Sequence, residues 1–67
     1  MKNNIRVARA EIRMTQQQLA DAAGVSRQTI NAIESGKFIP STLLALKIAR
    51  IFGKQVEAIF TLEEDDL

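Results

Sequence analysis

The chain has 67 residues, enough for one domain, and contains no cysteine, histidine, tryptophan or tyrosine. That excludes disulfides and thiolate chemistry, and it removes the commonest metal ligand and the commonest general base. The net charge of +1 conceals a split, because residues 1–56 carry all nine Lys and Arg against three acids, a net of +6, while residues 57–67 carry five acids and no base.

A basic body suits a polyanionic partner, and the acidic end is expected to point away from it. No apolar run approaches the ~20 residues that cross a bilayer. The first residues alternate polar and apolar rather than forming the apolar block of a signal peptide, so the expectation is a soluble cytoplasmic protein with no membrane association. A domain this small hides only about 60% of the surface its unfolded chain exposes. Its apolar content is nearly all aliphatic or alanine, which points to a small all-α bundle occupying residues 1–67 as one domain.

The first helix is expected over about Asn4 to Arg13, where Ile5, Ala8 and Ile12 lie three and four apart and make one apolar stripe. Thr15 opens a second helix, with Gln18 placed to complete a capping box. Leu19, Ala20 and Ala23 face inward, and Gly24 stops the helix. Ser26 is a good N-cap for a third helix that reaches about Ser35 and ends at Gly36. Pro40 and Ser41 introduce a fourth, carrying Leu43, Leu44, Leu46, Ile48, Ala49 and Phe52. It is apolar over more than half its girth and therefore expected to be central. Gly53 ends it, and a short fifth helix fits Val56 to Phe60. The acidic tail, about residues 61–67, is too charged to pack alone, although Thr61 and Leu62 can extend as a short strand beside Lys2 to Asn4.

The third helix has two unlike faces. At about 100° per residue, Ile30 and Ile33 define a buried side, while Gln28, Asn31 and Ala32 fall roughly opposite and Arg27 lies on the flank of the first turn. Three or so residues join it to the second helix, and such a link sets two helices at a steep angle. Ala20, Gly24 four residues on and Ile30 six after that fit a helix-turn-helix over about residues 16–35, with Val25 plugging the turn.

The segment "TQQQLADAAGVSRQTINAIESGKFIPS", followed by "LLALKIARIF", resembles the Cro and phage-repressor superfamily, also called the XRE family. The resemblance covers about residues 4–60 and implies a compact five-helix, lambda-repressor-like fold. It further implies a sequence-specific regulator of transcription, most simply a dimeric repressor on a palindromic operator in double-stranded DNA. By the same resemblance, Arg27 and Gln28 read base edges, which suits arginine on guanine and glutamine on adenine. Asn31 reaches a base or a phosphate, and Ala32 touches a thymine methyl group. Gln16, Ser26, Thr29, Lys37 and the amide of Phe38 stand where phosphates bind, which sets register without reading sequence. Arg9 and Glu34 occupy the positions of a structural ion pair. Dimerisation is expected through Val56, Ile59, Phe60 and Leu62, although Val56 and Phe60 also fit as the last layer of the core. No cofactor, metal, small-molecule ligand or enzymatic activity is expected. Ser26, Ser35 and Ser41 lack a histidine to activate them, and Glu63, Glu64, Asp65 and Asp66 read as a solvated charge run. The alternative reading is an antitoxin-like protein that binds a partner and regulates its own operon.

Overall fold

A computed structural model describes residues 1–67. In chain order the elements are β1 (Lys2–Asn3), α1 (Ile5–Glu11), α2 (Gln16–Ala23), α3 (Arg27–Glu34), α4 (Thr42–Phe52), α5 (Val56–Ile59), β2 (Phe60–Thr61) and a 3₁₀ turn, Glu64–Asp66. No helix is long and apolar enough to cross a membrane.

Every α-helix contributes at least one fully buried isoleucine or leucine: Ile5 from α1, Leu19 from α2, Ile30 and Ile33 from α3, Ile48 from α4 and Ile59 from α5. Burying each such side chain contributes about 1.5–3 kcal/mol against the entropy of ordering the chain. Ala8, Ala20, Ala49 and Phe60 complete this core, the small alanines letting the helices approach closely.

The caps follow the local chemistry. Thr15 Oγ1 accepts from the Gln18 amide while Gln18 Oε1 accepts from the Thr15 amide, the reciprocal pair expected of a capping box. Ser26 and Ser41 cap α3 and α4 with one bond each, their hydroxyls accepting from the amides of Thr29 and Leu44. Gly24 closes α2 at φ 75°, and the Val25 amide donates back to the carbonyl of Ala20. Half-buried Val25 then packs against the core, which fixes the direction in which α3 leaves.

Three expectations need correcting. The first helix stops at Glu11, two residues before Arg13, because Arg13 itself turns left-handed at φ 54°. This lifts Ile12 off the apolar stripe and leaves it 50% exposed. Second, α4 does not bury its whole apolar girth. Ile48 and Ala49 are buried and Leu44, Ala45, Ile51 and Phe52 partly so, while Leu43 and Leu46 are 65% and 53% exposed. Leu43 and Leu46 lie on the side of the helix away from Ile48, where the small body has no further layer to cover them. Third, the strand register is one residue earlier than Thr61–Leu62: Lys2 pairs with Thr61 and Asn3 with Phe60, antiparallel. The acidic end also folds back. The Met1 amino group lies 3.1 Å from Glu63 Oε1 and 2.8 Å from Asp66 Oδ2. The hydrogen bond from that amino group holds the Asp66 carboxyl below its ordinary value.

Two left-handed positions give opposite predictions. A Cβ added at Gly24 meets nothing within 4 Å, so Gly24→Ala is strained by its backbone alone. It is expected to lower stability by about 1 kcal/mol, whereas Arg13→Gly relieves the same strain and raises it by up to about 1 kcal/mol. Urea denaturation of the two variants beside the parent checks both signs.

Candidate nucleic-acid interface

On α3 the expected division of faces holds. Ile30 and Ile33 are buried, Arg27, Gln28 and Asn31 are exposed, and Ala32 is half-buried. Asn31 stands one turn beyond Arg27 and Gln28, which occupy the first turn of the helix. There the backbone amides of Arg27 and Gln28 have no intrahelical acceptor, and the helix presents the positive end of its dipole. Ser26 Oγ and Thr29 Oγ1 lie 3.0 Å apart, so the two hydroxyls at this mouth hold one another in place. Arg27 and Lys37 take part in no ion pair, which leaves both charges free toward solvent.

Behind this face sits the Arg9–Glu34 pair. Arg9 Nε donates to Glu34 Oε2 at 2.6 Å and Nη2 to Oε1 at 3.0 Å, a two-pronged contact between α1 and the last residue of α3. The third arm, Nη1, donates to the carbonyl of Met14 at 2.9 Å and so pins the α1–α2 connection as well. The Glu34 side chain is only 1% exposed. Burial pushes its carboxyl up, but hydrogen bonds from Arg9 and Gln16, with the charges of Arg9 and Arg6, outweigh that and hold it below its ordinary value. The same contact raises Arg9.

Gln16, the first residue of α2, is turned across to α3. Its Nε2 lies 3.3 Å from Asn31 Oδ1 and 3.3 Å from Glu34 Oε1. Asn3 performs a similar service from β1, at the same end of α3. Its Nδ2 donates to the Ile33 carbonyl at 2.8 Å, and its Oδ1 accepts from the Ile5 amide at 3.3 Å. Sequence reasoning missed both of these contacts. Asn3 looked like an ordinary polar strand residue, and nothing in the spacing of Gln16 and Asn31 signals that they meet.

The remaining expected residues divide clearly. The Phe38 amide is not available to a phosphate, because it already donates to the Ala32 carbonyl at 3.2 Å, as does the Lys37 amide at 2.9 Å. Those bonds close the C-terminal turn of α3, and only the Lys37 side chain is left to meet an anion. Ile59 is 1% and Phe60 8% exposed, so both belong to the core, where Ile59 offers no face to a second copy and Phe60 only an edge. The core needs them because α5 and β2 close over Ile5 and Ile48. Val56 is half-buried and Leu62 is 63% exposed. Val56, together with the exposed edge of Phe60, borders a shallow apolar groove with Ile39, Pro40, Ala45 and Leu46.

Comparison with known proteins agrees with this geometry. The helix-turn-helix family model matches residues 5–59. An uncharacterized HTH-type transcriptional regulator of Methanocaldococcus jannaschii is 53% identical over 66 residues, covering 98% of this chain and 100% of that one. The uncharacterized HTH-type transcriptional regulator YgzD of Bacillus subtilis is 46% identical over 66 residues, with 98% and 100% covered. Among solved structures, the clp gene regulator ClgR from Corynebacterium glutamicum is similar with a TM-score of 0.74 and 29% identity. That match covers 78% of this chain and 55% of ClgR, so the present chain spans about half the length of that regulator.

Arg9→Met leaves Glu34 buried without its main partner. The expected loss is about 3 kcal/mol, the low end of the range for a buried pair, because Arg6 remains near. Arg6 Nε is 3.7 Å from Glu34 Oε1. For a domain of this size the loss lowers the melting temperature by roughly 10–20 °C, and Arg9→Met with Glu34→Met together recovers most of it. Because the folded carboxyl lies below its ordinary value of 4.5, the stabilisation from Glu34 is complete above that pH and is lost as pH falls through the depressed value. In thermal melts between pH 7 and pH 3, the stability of the parent relative to the double variant is expected to stay constant above pH 4.5 and to fall as pH drops below it.

Proposed function

We propose an operator-reading, dimeric function for this protein, which belongs to the helix-turn-helix family of DNA-binding transcriptional regulators. α3 enters the major groove with Arg27 and Gln28 on base edges and Asn31 beside them. The observation that carries this reading is the exposed polar row of Arg27, Gln28 and Asn31 on α3, backed by buried Ile30 and Ile33 and by the Arg9–Glu34 pair. An arginine can donate two bonds to guanine O6 and N7, and a glutamine can exchange two with adenine. Ala32, half-buried on the flank, is suited to contact with a thymine methyl group. The backbone amide of Gln16 at the start of α2, the Ser26 and Thr29 hydroxyls and the Lys37 side chain form the frame that holds the backbone phosphates. Such contacts set register and carry no sequence information.

A single domain of this size covers too few base pairs for tight recognition, and a two-fold site read by two copies requires reading helices about 34 Å apart. The surface that best suits self-association is the apolar groove edged by Ile39, Leu46 and Val56, with exposed Leu62 beyond β2. Repression follows most simply, since a dimer seated on a promoter blocks access to it. Cytoplasmic residence accords with such a role.

Selection of bound duplexes from a random pool at near-physiological salt tests the reading. A palindrome with half-sites about one helical turn apart is the expected product. Recovery of no preferred sequence by folded protein overturns the reading and turns attention to a protein partner. Arg27→Ala is expected to relax preference at one operator position, at a cost of about 1–3 kcal/mol on the parent sequence. Lys37→Ala is expected to weaken all sequences alike and to lower the salt slope by about one unit. Leu46 is 53% exposed, so Leu46→Glu leaves the core intact. Sedimentation is expected to show that variant as a monomer, with the two-fold spacing lost from the selected sites.

A further inference from the structure

We propose that Gln16 is a specificity-determining positioning residue, which fixes the direction of the Asn31 side-chain amide and so decides whether Asn31 offers the groove a donor or an acceptor. The inference rests on the operator-reading function proposed above and adds to it a residue on α2 that governs what α3 reads.

The geometry supplies a chain of orientation running from the interior outward. Glu34 is 1% exposed and bound two-pronged by Arg9. A carboxylate has only acceptors, so the end of the Gln16 side chain facing it must be the amide nitrogen. That nitrogen lies 3.3 Å from Glu34 Oε1 and 3.3 Å from Asn31 Oδ1, so each of its two hydrogens has one oxygen. Asn31 must therefore turn its carbonyl oxygen toward Gln16 and leave its NH₂ group free. An exposed asparagine without such a neighbour rotates, and its oxygen and nitrogen exchange places at little cost. With Gln16 present, one of the two arrangements loses a hydrogen bond and sets two donors against one another. A buried, geometrically fixed ion pair thus sets the polarity of a side chain on the reading face through one intermediate residue.

The consequence is discrimination at the base pair that Asn31 faces. A fixed amide fits one pattern of major-groove donors and acceptors, whereas a rotating amide fits several. A residue that only bound phosphate would not have this effect, because a phosphate contact weakens or strengthens all sequences together.

The test uses the full chain in the random-duplex selection, with Asn31→Ala, Gln16→Ala and Gln16→Lys beside the parent. The position whose preference disappears in Asn31→Ala is the one that Asn31 reads. There the parent is expected to favour its base about tenfold, and Gln16→Ala to reduce this to about twofold while leaving the positions read by Arg27 and Gln28 unchanged. Gln16→Lys keeps a donor facing both oxygens and is expected to restore the preference. Three results overturn the inference with the operator-reading function intact: a preference at that position unaltered in Gln16→Ala, a uniform loss of affinity across all sequences, or no position dependent on Asn31. Failure of the parent itself to select any sequence overturns the operator reading and this inference with it.

Discussion

The Arg9–Glu34 contact is the constraint on which the arrangement of the first three helices depends. A carboxylate this deeply buried is tolerable only with its lone pairs filled, and one guanidinium supplies most of what it needs. Because Arg9 also holds the Met14 carbonyl, the same residue ties together α1, the turn after it and the end of α3. A hydrophobic pair in this position could pack as well, but it would not specify direction. The ion pair fixes where α3 ends relative to α2, and that placement brings Gln16 and Asn31 within reach of one another.

Much of this was legible in the sequence. Caps are local chemistry, and Thr15, Ser26, Ser41, Gly24 and Gly53 mark helix ends where the structure has them. The two faces of α3 were equally readable, since Ile30 and Ile33 leave only one way for an amphipathic helix to sit. Legibility failed where the outcome depended on what else was nearby. Ile12 belongs to the α1 stripe by spacing, yet the left-handed turn at Arg13 ends the helix first, and no glycine advertises that turn. Leu43 and Leu46 are apolar, but the fold is one layer thick on their side, so hydrophobicity alone could not place them inside. Ile59 departed in the opposite direction, while Phe60 took the place in the core that its position also allowed.

At the candidate site the same distinction applies. Arg27, Gln28 and Asn31 were visible as polar side chains on an exposed helix face. Their supports were not visible, because Asn3 and Gln16 act on residues 30 and 15 positions away through single hydrogen bonds that leave no periodic trace. The Phe38 amide illustrates a related limit. Its position in the chain suited an anion, but the turn that follows α3 consumes that amide internally.

The pairing of β1 with β2 has a kinetic meaning. Apart from it, the contacts of this protein are mostly between neighbouring helices, the pattern of fast-folding bundles. Lys2 and Asn3, by contrast, meet Thr61 and Phe60, near the opposite end of the chain. A growing polypeptide can form α2, α3 and the turn between them early. Its first strand and the Ile5 end of α1 have no complete seat until residues 59–61 leave the ribosome. The element that anchors the end of α3 through Asn3 is therefore the last to be locked during synthesis. In a nascent chain, the Arg9–Glu34 brace behind α3 can form before the one from Asn3 is locked.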